Sequence, residues 1–120
     1  PGSFTRTCHA MHVPNYLGSL DAFSEKGVDT VACISVNDAF VMDEWAKQTK
    51  AAGKILFLAD GNADFTKAAG LDFDGSARGF GIRSKRYAML VDDGVVQAIN
   101  VEDETGVVDA SSAENILAAL

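Results

Sequence analysis

Residues 28–59 have the sequence VDTVACISVNDAFVMDEWAKQTKAAGKILFLA, and this stretch decides the fold. Residues 28–36 are rich in β-branched side chains, which is typical of a buried strand. Asn37 and Asp38 are residue types that cap helices, so they predict the start of a helix after that strand. Residues 54–59 then predict a second strand. Strands that alternate with helices in this way indicate an α/β fold.

The segments on either side continue the alternation. Residues 8–26 have helical spacing of apolar side chains, with interruptions expected near Pro14 and Gly18. Residues 63–69 predict a short helix. Residues 71–82 are rich in glycine, and we expect an irregular loop there.

The last third of the chain predicts a hairpin followed by a helix. Residues 85–91 and 95–101 are strand-like, and the Asp-Gly pair at 93–94 between them is a strong signal for a tight turn. Ser111 and Glu114 have the spacing of a capping box before the final helix. The sequence therefore predicts an α/β fold with a mixed sheet.

Length and composition narrow the class of protein. The 120 residues are 48% hydrophobic and 22% charged, which is typical of one globular domain over residues 1–120. No apolar run approaches the roughly 20 residues of a membrane span. Ten basic and seventeen acidic side chains give a net charge of -7. This balance argues against nucleic acid or anionic lipid as the main partner.

Cys8 is the candidate reactive residue because it begins the first predicted helix. Free backbone N–H groups and the helix dipole favour a thiolate at that position. Thr5, three residues earlier, is placed to offer a hydroxyl to a bound oxygen, and Arg86 offers a cationic fork of donors. Sequence chemistry alone leaves an alternative open, in which Cys8 is simply a small buried residue. The cysteine content and spacing favour a reducing compartment.

Three other polar residues near Cys8 carry weaker signals. His9 and His12 are close to the thiol, but two histidines and one thiol without a carboxylate are a poor zinc set, so we predict no metal site. His9 is expected to be exposed, with no catalytic task. Arg6 is expected to be a solvated loop charge.

Residues 1–8, PGSFTRTC, resemble the P-x-x-x-T-x-x-C active-site loop of the peroxiredoxins, and of their type II branch in particular. Further similarity lies at residues 31–41, 58–60, 85–89, 93–96 and 100–102. The resemblance implies a thioredoxin-like, three-layer α/β/α fold with a mixed central sheet. Members of the family have additional residues before the motif, including a strand that leads into it. The resemblance thus implies a single peroxiredoxin domain that is truncated at its N-terminus.

The same resemblance implies a function and its residues. The protein is expected to reduce hydrogen peroxide and alkyl hydroperoxides by forming a sulfenic acid on Cys8. Arg86 and Thr5 are expected to stabilise the transition state, and Pro1 to shield the thiolate. Thr7 is expected to present its backbone N–H group to the peroxide. The family needs no metal, haem or flavin, so no cofactor is expected.

The number and positions of the cysteines indicate which reductant the protein would use. Residues 105–110, TGVVDA, lack the internal resolving cysteine that some family members have before the last helix. Cys33 resembles the second redox cysteine of plant type II members, although a role as a core residue is favoured. The expected reductant is glutathione with glutaredoxin, or thioredoxin. We also expect a homodimer in the cytoplasm, or in an organelle if a transit peptide precedes the chain. The alternative function is a non-catalytic thioredoxin-fold binding module.

Overall fold

The computed structural model describes residues 1–120 and contains five α-helices and six strands. The helices are α1 (Val13–Leu17), α2 (Leu20–Glu25), α3 (Ala39–Gln48), α4 (Asp64–Ala68) and α5 (Ala113–Leu117). The strands are β1 (Ala32–Ser35), β2 (Leu56–Ala59), β3 (Asp72–Asp74), β4 (Ile82–Ser84), β5 (Tyr87–Asp92) and β6 (Val95–Val101). A π-helical segment, Cys8–His12, leads directly into α1. None of the helices combines the length and the apolar character that crossing a membrane requires.

The strands form three separate pairs. β1 and β2 are parallel, with Ala32 opposite Leu56. β3 and β4 are antiparallel, as are β5 and β6. The expected mixture of parallel and antiparallel strands is therefore present, but hydrogen bonds do not join the pairs into one continuous sheet.

Helix α3 begins where its capping residue predicts. The Asp38 carboxylate accepts a hydrogen bond of 2.8 Å from the Val41 backbone N–H group, which would otherwise lack a partner. The helix ends at Gln48, earlier than the expected end near Gly53. Its inner face buries Met42 and Trp45 almost completely.

The hydrophobic core consists of two clusters. The first cluster contains Cys8, Val13, Met42, Trp45, Ala51 and Ile55, and the second contains Phe23, Ala88, Ala113 and Ile116. Tyr16 packs against both clusters, and its ring stacks on Phe23 at 5.5 Å between centroids. Phe23 in turn packs with Ala88 of β5, so the second cluster joins these helices to the β5–β6 hairpin.

The first helical region is interrupted once rather than twice. Pro14 follows directly after the π-helical segment, and the helical backbone continues through it to Leu17. The break falls at Gly18, which separates α1 from α2.

The β5–β6 hairpin confirms its sequence signal. Asp93 and Gly94 have φ angles of 48° and 77°, the left-handed conformation that a tight two-residue turn between twisted strands requires.

Residues 71–82 are not an irregular loop, so that prediction was wrong. They contain β3, a short 3-10 turn (Ser76–Arg78) and the first residue of β4, Ile82. Gly79, at φ 74°, ends the 3-10 turn in the left-handed region, and the Gly75 N–H group donates to the Gly81 carbonyl. Glycines that appeared to prevent structure instead form the tight connection between two short strands.

The capping box at Ser111 was also predicted one residue too early. Ser112 caps α5, and its hydroxyl accepts a hydrogen bond from the Asn115 N–H group. Ser111 is completely buried, and its hydroxyl donates to the Glu102 carboxylate at 2.7 Å. The buried acid binds the first serine, so the second serine serves as the cap.

Candidate active site

Cys8 lies in the first turn of the helical region, as the sequence predicts. Helical backbone begins at Arg6. The backbone N–H groups of Thr7 and Cys8 therefore belong to the first turn, whose N–H groups have no carbonyl acceptor within the helix. The Cys8 side chain is 4% exposed and belongs to the first core cluster. The surroundings of the sulfur are thus formed mainly by protein atoms.

Arg86 reaches the sulfur from a distant part of the chain. It lies between β4 and β5 and is 3% exposed. Its Nη1 atom donates to Cys8 Sγ at 3.3 Å, and its Nη2 atom donates to the Thr105 carbonyl at 2.7 Å. The Nε–H group is buried without a protein partner. The guanidinium is therefore held rigidly and still has a free donor.

The electrostatic surroundings lower the pKa of Cys8 to about 7. Burial acts in the opposite direction and raises it, but several groups outweigh burial. The strongest of these is the amine that Pro1 carries only when it is the first residue, followed by Arg86 and by hydrogen bonds from Thr5 and the Gly2 backbone. With this pKa, about half of the thiol is ionised at neutral pH.

The first residues of the loop before Cys8 are anchored to distant parts of the chain. The Ser3 N–H group donates to Asn37 Oδ1 at 2.9 Å, and the Ser3 hydroxyl lies 3.1 Å from the sulfur of Met42. Arg83 Nη1 donates to the Pro1 carbonyl at 3.1 Å. A side chain at position 2 would have to displace this Arg83 guanidinium, so Gly2 allows the close approach. These contacts hold the loop against the sulfur.

Thr5 and Thr7 lie on the segment that leads into Cys8. The Thr5 hydroxyl donates to the Gly2 carbonyl at 2.6 Å and is also near enough to Cys8 to lower the pKa of the thiol. Thr7 is half-buried in the first helical turn. Both residues therefore lie next to the sulfur.

Sequence reasoning missed the position of His12. Its Nδ1 atom lies 3.2 Å from Arg86 Nη1, and its Nε2 atom lies 3.2 Å from the Ser111 carbonyl. Burial lowers the pKa of His12 to about 4, and the charge of Arg86 acts in the same direction. The available signal was its position one helical turn after Cys8, which places both residues on one side of a helix.

His9 is not the exposed residue that the sequence predicted. Its ring is half-buried, accepts a hydrogen bond from Trp45 Nε1 at 3.1 Å, and stacks on Phe4 at 5.7 Å. His9 and His12 thus have different partners. No group of three or more His, Cys, Asp or Glu side chains is arranged to hold a metal ion. Arg6 is exposed, as expected.

Cys33 lies in β1 opposite Phe57 and is half-buried. It packs against the cluster that contains Cys8, and both cysteines are free thiols. Burial raises the pKa of Cys33 to about 12, and the nearby Cys8 charge adds to this effect. The two thiols therefore differ strongly in their tendency to ionise.

Cys8 lines neither of two cavities whose walls lie near the core and the guanidinium. The larger, about 660 Å³, lies between α3 and the β1–β2 pair. The smaller, about 310 Å³, is lined by Arg86, Glu102 and Thr105 among others, so it reaches the guanidinium from the side of β6. We locate the active site by the contact between Cys8 and Arg86, because only there do a nucleophile and an activating charge meet.

Comparison with known proteins finds relatives that share this fold. A family model described as Redoxin matches residues 1–117. Peroxiredoxin-2E, chloroplastic, from Arabidopsis thaliana is 47% identical over 122 residues, which cover 100% of this chain and 52% of that protein. Peroxiredoxin-2D from the same plant is 44% identical, with 100% and 74% covered. The crystal structure of reduced Prx3 from Vibrio vulnificus in complex with H2O2 matches with a TM-score of 0.92 and 51% identity, covering 100% of this chain and 76% of that one.

A reactive thiol at a helix start, bonded to a buried guanidinium on a thioredoxin-like fold, defines the class as thiol-based redox proteins. The chain belongs to the redoxin family, and its relatives within that family are type II peroxiredoxins. The chain spans about half the length of the chloroplastic relative.

Proposed function

We propose that this protein is a thiol peroxidase that reduces hydrogen peroxide and alkyl hydroperoxides through Cys8. The observation that carries the proposal is the 3.3 Å hydrogen bond from Arg86 Nη1 to Cys8 Sγ. A guanidinium in this position favours the thiolate and also faces any oxygen that approaches the sulfur. The similarity to peroxiredoxins, one of them solved with H2O2, supports the same reaction.

The proposed reaction begins with one displacement. The Cys8 thiolate attacks one peroxide oxygen and forms an S–O bond with its electron pair. The O–O bond breaks, and the departing oxygen takes a proton and leaves as water or an alcohol. Sulfur is oxidised to the sulfenic acid Cys8–SOH, and the peroxide is reduced by two electrons.

The neighbouring residues have separate roles in this proposal. Arg86 stabilises the negative charge that develops on the departing oxygen, and its unpaired Nε–H group is a further donor for that purpose. Thr5 offers its hydroxyl to the peroxide, while Thr7 and Cys8 offer backbone N–H groups from the first helical turn. Pro1 covers one side of the sulfur and limits access to small reactants.

An external thiol is the proposed reductant. One thiol attacks the sulfenic acid and releases water, and a second thiol then reduces the mixed disulfide and regenerates Cys8. Cys33 is a poor first attacker because a pKa of about 12 leaves very little thiolate at neutral pH. We therefore propose glutathione with glutaredoxin as the donor, with thioredoxin as the alternative.

Partner chains and compartment are also proposals. We propose a homodimer, which sedimentation of the reduced protein at micromolar concentration would detect. We propose a reducing compartment, either the cytoplasm or an organelle, and the chloroplastic relative favours the organelle.

The decisive experiment follows oxidation of individual cysteines. The reduced protein receives one equivalent of hydrogen peroxide, is quenched within seconds, and is analysed by mass spectrometry of its peptides. We expect one added oxygen on the peptide containing Cys8 and none on the peptide containing Cys33. In an assay with glutathione and glutaredoxin, Cys8→Ser is expected to abolish turnover, whereas Cys33→Ser is expected to retain most of it.

Two outcomes would contradict the proposal. Equal and slow oxidation of both cysteines would identify the chain as a non-catalytic thioredoxin-fold binding module. Equal loss of turnover in both serine variants would instead show that Cys33 takes part in the reductive step. Replacing glutaredoxin by thioredoxin in the same assay distinguishes the two donors.

A further inference from the structure

His12 forms part of a continuous chain of contacts that ends at the reactive sulfur. The Arg86 guanidinium uses one Nη1 hydrogen for Cys8 Sγ, at 3.3 Å, and has His12 Nδ1 at 3.2 Å from the same nitrogen. On the opposite edge of the imidazole, Nε2 faces the Ser111 carbonyl at 3.2 Å. The ring therefore lies between the guanidinium and a backbone carbonyl.

The two partners fix the same form of the ring. A guanidinium has only donors, so His12 Nδ1 must be the acceptor in its contact with Arg86. A carbonyl has only lone pairs, so Nε2 must carry the hydrogen in its contact with Ser111. Only the neutral imidazole with hydrogen on Nε2 satisfies both contacts.

The carbonyl that binds His12 is itself held by a buried acid. The Glu102 carboxylate accepts hydrogen bonds from the backbone N–H groups of Asp109, Ala110 and Ser111. The Tyr16 hydroxyl donates to the same Ser111 carbonyl at 2.8 Å. Through Glu102 and residues 109–111, this arrangement supports His12 from outside the helix on which it lies.

We propose that His12 is a positioning residue, which in its neutral Nε2–H form holds the Arg86 guanidinium in the orientation that bonds Cys8. The purpose of this positioning rests on the proposed peroxidase function, whereas the contacts of His12 with Arg86 and Ser111 do not depend on that function. His12 does not contact the sulfur or a substrate in this role. It acts through Arg86, and a protonated ring would turn an N–H group towards that cation and displace it.

The charged groups around the ring oppose protonation overall. The Arg86 charge disfavours a cationic ring, and so does the amine that Pro1 carries when it is the first residue, while the Glu102 charge favours it. Tyr16 contributes only the edge of its ring, 5.3 Å away between centroids. Burial is the largest effect and also favours the neutral form. The acceptor form of His12 is therefore the form expected at neutral pH.

Two substitutions separate the positioning role from simple packing. His12→Asn keeps an acceptor near the position of Nδ1, whereas His12→Leu fills similar space without one. His9→Asn is the matched control, because its ring bonds Trp45 and not Arg86. The readout is the rate of Cys8 alkylation by iodoacetamide as a function of pH, which requires no peroxide.

We expect His12→Leu to raise the apparent pKa of Cys8 and to slow alkylation at pH 7 about tenfold, whereas His12→Asn and His9→Asn remain within about threefold of the parent. A His12→Leu variant with the parent's pH profile would overturn the inference. So would a His12→Asn variant that is folded, by thermal melting, yet as impaired as His12→Leu.

A second measurement uses the unaltered protein and so does not depend on whether a variant folds. Long-range ¹H–¹⁵N spectra at pH 7 are expected to show His12 with hydrogen on Nε2 only. A hydrogen on Nδ1 would overturn the inference. Because neither readout involves peroxide, failure of the parent protein to reduce peroxide would refute the proposed function alone.

Discussion

Arg86 Nη1 lies 3.3 Å from Cys8 Sγ, although 78 positions separate the two residues in the chain. Cys8 is brought there by the start of the first helical region, and Arg86 by the beginning of β5. The pair exists only when the hairpin packs against that helical region, as it does where Ala88 of β5 packs with Phe23 and Tyr16 lies against the same cluster. The reactivity of Cys8 is therefore tied to the intact tertiary structure.

Substitution of Arg86 by lysine is expected to reduce peroxide reactivity strongly. Arg86 bonds Cys8, His12 and Thr105 at once from a planar fork, and a lysine ammonium cannot reproduce that geometry. We expect the second-order rate constant with hydrogen peroxide to fall about 100-fold, measured by stopped flow. Arg78→Lys is the control, because Arg78 is exposed and donates only to the Thr105 hydroxyl. A rate for Arg86→Lys within a few-fold of the parent would contradict the assigned role.

The two cysteines are expected to differ sharply in alkylation. The pKa values of about 7 for Cys8 and about 12 for Cys33 mean that only Cys8 has appreciable thiolate between pH 6 and 9. Iodoacetamide labelling at graded pH, followed by peptide mass spectrometry, is expected to show a midpoint near 7 for Cys8 and almost no labelling of Cys33. Comparable labelling of both at pH 7 would be inconsistent with the structure.

The Pro1 amine provides a further test of the same pKa. Its charge exists only when Pro1 is the first residue, and it is the strongest of the groups that lower the pKa of Cys8. Residues placed before Pro1 convert the amine to a neutral amide, so we expect the alkylation midpoint to shift to higher pH. An unchanged midpoint would mean that Arg86 and the start of the helix lower the pKa of Cys8 without help from the Pro1 amine.

Glu102→Gln is expected to destabilise the fold. The buried carboxylate accepts four hydrogen bonds from residues 109–111, and an amide would turn N–H groups towards at least one of those donors. We expect the free energy of unfolding to fall by about 2 kcal/mol, measured by urea denaturation. Glu104→Gln, at an exposed position, is the control and is expected to leave stability unchanged. Equal stability of the two variants would show that the carboxylate charge is not needed.

Stability is expected to decrease as the pH falls from 6.5 to 4. Burial lowers the pKa of His12 from 6.5 to about 4, so the unfolded chain binds more protons than the folded chain within that range. The loss from this one group is about 3 kcal/mol across the range. The pKa of Glu102 is also lowered, which adds a further loss below its unfolded value of 4.5. Urea denaturation at graded pH measures this slope, and His12→Leu should flatten it between pH 4 and 6.5.

Much of the fold was predictable because its signals are local. The Asp38 cap of α3 and the Asp-Gly turn at 93–94 depend on backbone groups only a few residues away. By contrast, the short strands β3 and β4 stabilise each other, and neither has an independent pattern long enough to identify it. The choice between Ser111 and Ser112 as the cap was set by Glu102, which no local pattern connects to α5.

The sequence by itself determined that residues 1–8 form a loop ending in a cysteine at a helix start, since the motif and the helix signal are contiguous. Only the tertiary structure decided which groups surround that cysteine. His12, set aside as a metal ligand, became the partner of Arg86 because two distant loops meet at its ring. Hydrogen bonds between residues far apart in the chain depend on packing, and packing is a property of the whole fold.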